Sequence, residues 1–285
     1  MEEQFGGNQI LSSKYNEIKI LKNDDIKLVY LAEKKNNKKK VIIKQFDLSD
    51  LDKETKDEFR KEGETLTKIR HPNVIKFYDF YYKNNIAYII TEYIETGTLF
   101  DKIEDHKIKN EYFDENILLE WFIDICEGMK EINENNIIYR TLKPDNIFIT
   151  KDNRIKIGDF GIAQLYNYKN KNNIDIGIIT YLSPEIIKNI NYNYKSDIWS
   201  LGIVLYELTQ LFNPFIDEDT TDKEIIMHIE NGEYFNFLNL EYSEKLLNLI
   251  DEMLKVPPNQ RIELNEIILE CYTIIIKKDS KSKKK

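Results

Sequence analysis

Apolar residues alternate or run together over Tyr15–Leu21, Lys27–Glu33 and Val41–Phe46, a period of two that predicts three strands. The polar hairpin Lys22-Asn23-Asp24-Asp25 and the charged, Asn-rich stretch from Lys34 to Lys40 separate them as turns. From near Ser49 to Ile69 the period lengthens, and Phe59, Leu66 and Ile69 fall on one face of a predicted helix. Gly63 lies inside that helix at a cost of ~1 kcal/mol relative to alanine, which predicts a mobile turn there. His71-Pro72-Asn73 reads as the turn that follows, Ile86 to Tyr93 as a buried strand and Glu92 to Gly97 as a hinge.

Beyond the hinge the helical period dominates. Leu118, Trp121, Phe122, Ile125, Met129 and Ile132 recur at helical spacing between Asp114 and Asn135, with Asp114 as the cap. Ser196 to Gln210 is apolar on most faces and predicts a buried helix. A sheet-rich part followed by a helical part makes the fold class α+β.

With 285 residues, 41% hydrophobic and 12% aromatic, the chain can build one two-lobed domain or two small ones. Its net charge of −9 argues against nucleic-acid binding by the folded body. The exception is the run from Lys277 to Lys285, which reads as an unfolded basic tail. Cys126 and Cys271 suit reduced thiols rather than a disulfide framework, and His71, His106 and His228 are too isolated to suggest a metal site. Met1-Glu2-Glu3-Gln4 lacks the features of a signal peptide, and no apolar run reaches membrane-spanning length. An intracellular, cytoplasmic protein is the expectation.

Several short motifs occur in series. Val41-Ile42-Ile43-Lys44 precedes Glu62; Ile138-Tyr139-Arg140-Thr141-Leu142-Lys143-Pro144-Asp145-Asn146 precedes Asp159-Phe160-Gly161. Ser183-Pro184-Glu185, Ser196-Asp197-Ile198-Trp199-Ser200-Leu201-Gly202 and Pro257-Pro258-Asn259-Gln260-Arg261 follow. In this order they resemble the motifs of a protein kinase, and Lys143-Pro144-Asp145-Asn146 resembles the serine/threonine branch. The resemblance implies a two-lobed domain over residues 15–275, with an N-lobe about 15–93, a hinge about 92–97 and a C-lobe about 98–275. Residues 1–14 are then an N-terminal extension, and 276–285 the basic tail.

The same resemblance implies roles for single residues. Lys44 would contact nucleotide phosphates with Glu62 as its partner, Glu92 and Tyr93 would sit at the hinge, and Asn146 and Asp159 would hold a metal ion. Lys143 is retained, but Thr141 stands where the catalytic aspartate belongs, and a neutral hydroxyl is no base near pH 7. The three positions of the glycine-rich loop are Lys22, Asp24 and Lys27. Ile42 and Phe148 are larger than the residues that usually sandwich adenine, and Ile178 replaces the threonine that supports the catalytic aspartate. No Ser or Thr lies between Ile162 and Ile179, which leaves Tyr166 and Tyr168 for phosphorylation in that stretch and no phosphothreonine to pair with Arg140. Retention falls instead on the scaffold: Leu66, Phe77, Tyr139 and Phe160 as the regulatory hydrophobic column, Asp197 and Trp199 beneath the catalytic loop, and Arg261 as the partner of Glu185.

The expectation is therefore a pseudokinase that acts as a scaffold or allosteric regulator, with no cofactor. Its partners would be proteins, such as another kinase or that kinase's substrate, bound through the Glu62 helix or the surface around the activation segment. The alternative is a weak serine/threonine kinase that uses ATP and magnesium, because loss of a general base costs about 10²–10⁴-fold rather than everything.

Overall fold

The three alternating segments form the first strands of a five-stranded antiparallel sheet, ordered β1-β2-β3-β5-β4. Its strands are β1 (Tyr15–Asn23), β2 (Lys27–Lys34), β3 (Lys40–Asp47), β4 (Phe77–Lys83) and β5 (Ile86–Glu92). The computed structural model describes residues 9–23, 27–140, 142–158, 176–190, 192–217 and 219–282. They fall into two compact units, residues 1–95 and 96–285.

In the first unit, a short helix α1 (Gln9–Lys14) brings Leu11 into a cluster with Tyr15, Tyr30, Val41, Ile43 and Ile90 on one face of the sheet. Helix α2 (Lys53–Leu66) begins later than its apolar period suggests. The cause is Asp52, whose carboxylate accepts from the Thr55 backbone N–H at 2.8 Å and ends the extended stretch before it. Phe59 of α2 meets Phe46 of β3 edge to face, with centroids 5.5 Å apart. Gly63 has a packing reason: a Cβ there would lie 2.4 Å from the Phe80 ring of β4, so glycine lets helix and strand approach.

In the second unit, α3 (Leu99–Lys109) starts at a capping box made by Thr98 and Asp101. Helix α4 (Glu115–Glu134) is capped by Asp114, as its sequence predicts. Strands β6 (Ile147–Ile149) and β7 (Ile155–Ile157) form a small hairpin. Helix α5 (Lys195–Gln210) is buried along its whole length, in accord with its apolar faces. Then come α6 (Asp222–Asn231), α7 (Glu244–Met253) and α8 (Leu264–Ser282), the last packed against α4.

Helix α8 corrects the expectation of an unfolded tail from Lys277, since it continues to Ser282. Ile267, Cys271 and Ile274 bury one face of it, and Lys278 reaches the buried Glu115 of α4 at 3.1 Å. Lys283 to Lys285 lie outside the described residues. Among the described residues no helix is long and apolar enough to cross a membrane.

Candidate active site

The first unit carries four of the expected site residues. Lys44 lies on β3, opposite Val29 of β2 and Ile89 of β5. Burial, and then the neighbouring Lys27 ammonium, hold it well below the ordinary lysine range. Ile42, two residues earlier on the strand, is half-buried. Glu62 lies on α2. At the end of β5, the Glu92 carboxylate accepts from the Lys76 N–H at 2.7 Å while its own N–H donates to the Lys76 carbonyl at 2.9 Å. Tyr93 has the Lys40 ammonium 5.8 Å from its ring centroid. Lys27, at a glycine-loop position, reaches to 5.7 Å from the Phe46 ring. Asp24 and Asp25 lie outside the described residues.

The second unit holds the candidate catalytic loop. Asp197, fully buried on α5, accepts from the Tyr139 N–H at 3.0 Å and from the Arg140 N–H at 2.8 Å. Arg140 is thereby fixed at φ 73, a left-handed conformation uncommon in a non-glycine residue. The Tyr139 hydroxyl donates to the Gly158 carbonyl, and the Gly158 N–H donates to the Asn146 carbonyl at 2.8 Å. Lys143 is 3.3 Å from Asp145 and partly buried. Asn146 is buried at the end of a single turn from Pro144. Phe148 bridges to Thr98 at the start of α3, and Ile178 lies in a short helical turn, Ile176–Ile179. Thr141 and Asp159, like Phe160, Tyr166 and Tyr168, lie outside the described residues.

Beneath these elements runs a sealed seam. Arg261 gives a bidentate pair to Glu185 at 2.7 and 2.8 Å, and its remaining N–H groups go to the carbonyls of Lys195, Lys255 and Val256. Ser196 donates to the same carboxylate at 2.5 Å. Burial pushes the Glu185 carboxyl up, but Arg261 and Ser196 outweigh it and hold the group below its usual range. The guanidinium also lies 5.1 Å from the Trp199 ring.

A cavity of about 370 Å³ opens beside the loop, lined by Phe100, Ile103, Lys143, Asp145, Tyr181 and Glu207 among others. At its base the Tyr181 hydroxyl lies 2.9 Å from both oxygens of Glu207, and Asn213 donates to one of them at 3.0 Å. Burial raises the Glu207 carboxyl to about 7 against these hydrogen bonds. Sequence reasoning missed Glu207 and Tyr181. The available signal was an acid on a helix otherwise apolar on most faces, since glutamate is seldom fully buried without a partner.

The two units thus carry, at the expected places, the strand lysine, the helix glutamate, the anchored loop and the Glu185–Arg261 pair. A sequence model of the family described as protein kinase domain matches residues 15–273. The chain belongs to the protein kinase family. It is similar to human serine/threonine-protein kinase Nek5, with 34% identity over 261 residues, 90% of this chain and 36% of that protein. Mouse serine/threonine-protein kinase Nek1 is 36% identical over 228 residues, 80% of this chain and 18% of that protein. Serine/threonine-protein kinase nekl-2 of Caenorhabditis elegans is 32% identical over 262 residues, 89% of this chain and 72% of that protein. The chain spans well under half the length of the first two relatives.

Proposed function

We propose that this member of the protein kinase family is a pseudokinase, a scaffold or allosteric regulator with little or no phosphoryl transfer. The observation that carries the reading is Thr141 at the catalytic-base position. The absence of glycine at Lys22, Asp24 and Lys27 supports it, because a side chain holds the backbone away from phosphates. Ile42, Phe148 and Ile178 add to the losses, whereas Asp197, Glu185 and Arg261 keep the framework. In this reading Lys44, Glu62, Glu92, Tyr93, Asn146 and Asp159 are remnants of a nucleotide site, and protein partners are the ligands. The protein works inside the cell, and its kinase-like domain spans residues 15–275.

A second reading is favoured by the relatives, which are named serine/threonine-protein kinases, and by retained Lys143, Asn146 and Asp159. In that case Asn146 and Asp159 hold magnesium, which shields phosphate charge, and Lys44 orients the nucleotide. Radiolabelled ATP decides between the two. The pseudokinase reading expects no phosphate incorporated into the chain or a generic substrate. Incorporation that disappears in Lys44→Met overturns it in favour of the weak kinase.

A further inference from the structure

Three lysine ammonium groups converge on one ring of the first unit, and a fourth stands nearby. Lys34, near the end of β2, places Nζ 3.5 Å from the Tyr78 ring centroid, while Lys76 and Lys39 place theirs at 5.5 and 5.6 Å. Lys14, the last residue of α1, donates to the Tyr81 hydroxyl at 2.7 Å. The four come from separate stretches: a helix end, a strand, the β2–β3 turn and the residue before β4. Lys35 and Lys38 border the group, bonded to the Ser12 carbonyl at 2.6 Å and to Glu33 at 3.0 Å.

The carboxylates around this cluster attract its lysines and also hold other donors. Asp79 accepts from the Tyr15 hydroxyl at 2.9 Å, Glu92 accepts from the Lys76 backbone N–H, and Glu33 pairs with Lys38. Lys34 is lowered from the ordinary lysine range by burial, and Lys39, Lys76 and Lys14 repel its charge while Asp79 opposes them. Lys14 and Lys39 are held above that range by the Tyr81 and Tyr78 hydroxyls, so both remain cations. A chain of net charge −9 has thus set three lysines where they disfavour the charge of Lys34.

We infer that Lys34, Lys39 and Lys76 around Tyr78, with Lys14 on the neighbouring Tyr81, form a binding site for a compact anion bearing several phosphate groups. Compactness follows from the geometry: three of the ammonium groups lie within 5.6 Å of one centroid. That spacing suits phosphates crowded on one small molecule or headgroup, whereas a nucleic-acid backbone presents its charges along a line. Tyr78 supplies a flat face that keeps the ammonium groups together in the absence of the anion. The inference stands apart from the question of phosphoryl transfer.

Calorimetric titration of the full chain with inositol hexakisphosphate, and flotation with phosphatidylcholine vesicles with or without phosphatidylinositol bisphosphate, test the site and separate its two sources of phosphate. Binding in either arm is expected to weaken roughly tenfold or more in the triple variant Lys34→Gln, Lys39→Gln, Lys76→Gln, as charge-assisted contacts are lost. Lys44→Met is expected to bind as the parent does, which separates this site from the nucleotide position. Lys34→Gln alone should raise the thermal midpoint without anion by removing a charge that burial, and then its lysine neighbours, disfavour; a lowered midpoint would mark a structural lysine and overturn the inference. Failure to bind in both arms, equal binding by the triple variant, or loss of binding in Lys44→Met overturns the inference.

Discussion

Two glutamates of the second unit are buried to nearly the same degree, Glu185 at 6% and Glu207 at 7% exposure, yet their surroundings push them in opposite directions. Glu185 sits in a sealed seam against a guanidinium with every N–H spent, and its carboxyl falls below the usual range. Glu207 lines a cavity, has neutral donors, and rises to about 7. Burial raises both; the presence or absence of a matched cation decides the net sign.

The largest test breaks the seam. Arg261→Met should lower unfolding free energy by about 3–5 kcal/mol, because it strands a buried carboxylate. Adding Glu185→Gln should recover part of that loss in urea denaturation. A loss below about 1 kcal/mol in the single variant would show that solvent reaches the seam.

The next test uses pH. Glu207 keeps its proton in the folded state up to about 7, whereas in the unfolded chain it loses it near the ordinary glutamate value. Its stabilising contribution is therefore fully present at low pH and is lost as pH rises through 7, a swing on the order of 3 kcal/mol. Glu185 has the opposite sign: its contribution is present above the ordinary value and disappears as pH falls below it. Glu207→Gln should flatten the fall in stability between pH 5 and 7, roughly the interval set by the two states, and leave the acid limb in place. An unchanged profile would assign the fall to Asp197, whose carboxyl burial also raises to about 7.

The smallest test removes one neutral donor. Tyr181→Phe should cost about 1–2 kcal/mol, the range for an acceptor left less satisfied, and should move the midpoint of the pH fall upward. A cost without that movement would mean that the ring, and not the hydroxyl, matters at the cavity floor.

Much of this was legible beforehand, for reasons that differ by element. The strands from Tyr15 to Phe46 and helix α4 follow their own periods, and Glu185 and Arg261 occur in recognisable motifs at either end of the second unit. Strand β4 was not read, because its Phe-Tyr-Asp-Phe-Tyr-Tyr run is aromatic on both faces and shows no alternation. The role of Gly63 depends on the Phe80 ring from another element, and local propensity carries no trace of it. The continuation of α8 past Lys277 depends on the buried Glu115, far away in sequence. The place of Glu207 at the cavity shows only once Tyr181 and Asn213 are brought to it.

The grip of Asp197 on the amides of Tyr139 and Arg140 carries a consequence for the residue that follows them. Backbone N–H groups are the same whatever side chain follows, so this anchor is indifferent to the residue at position 141. An exchange of aspartate for threonine at position 141 leaves both of these hydrogen bonds available. At this loop the placing of the backbone and the chemistry of the side chain are separable.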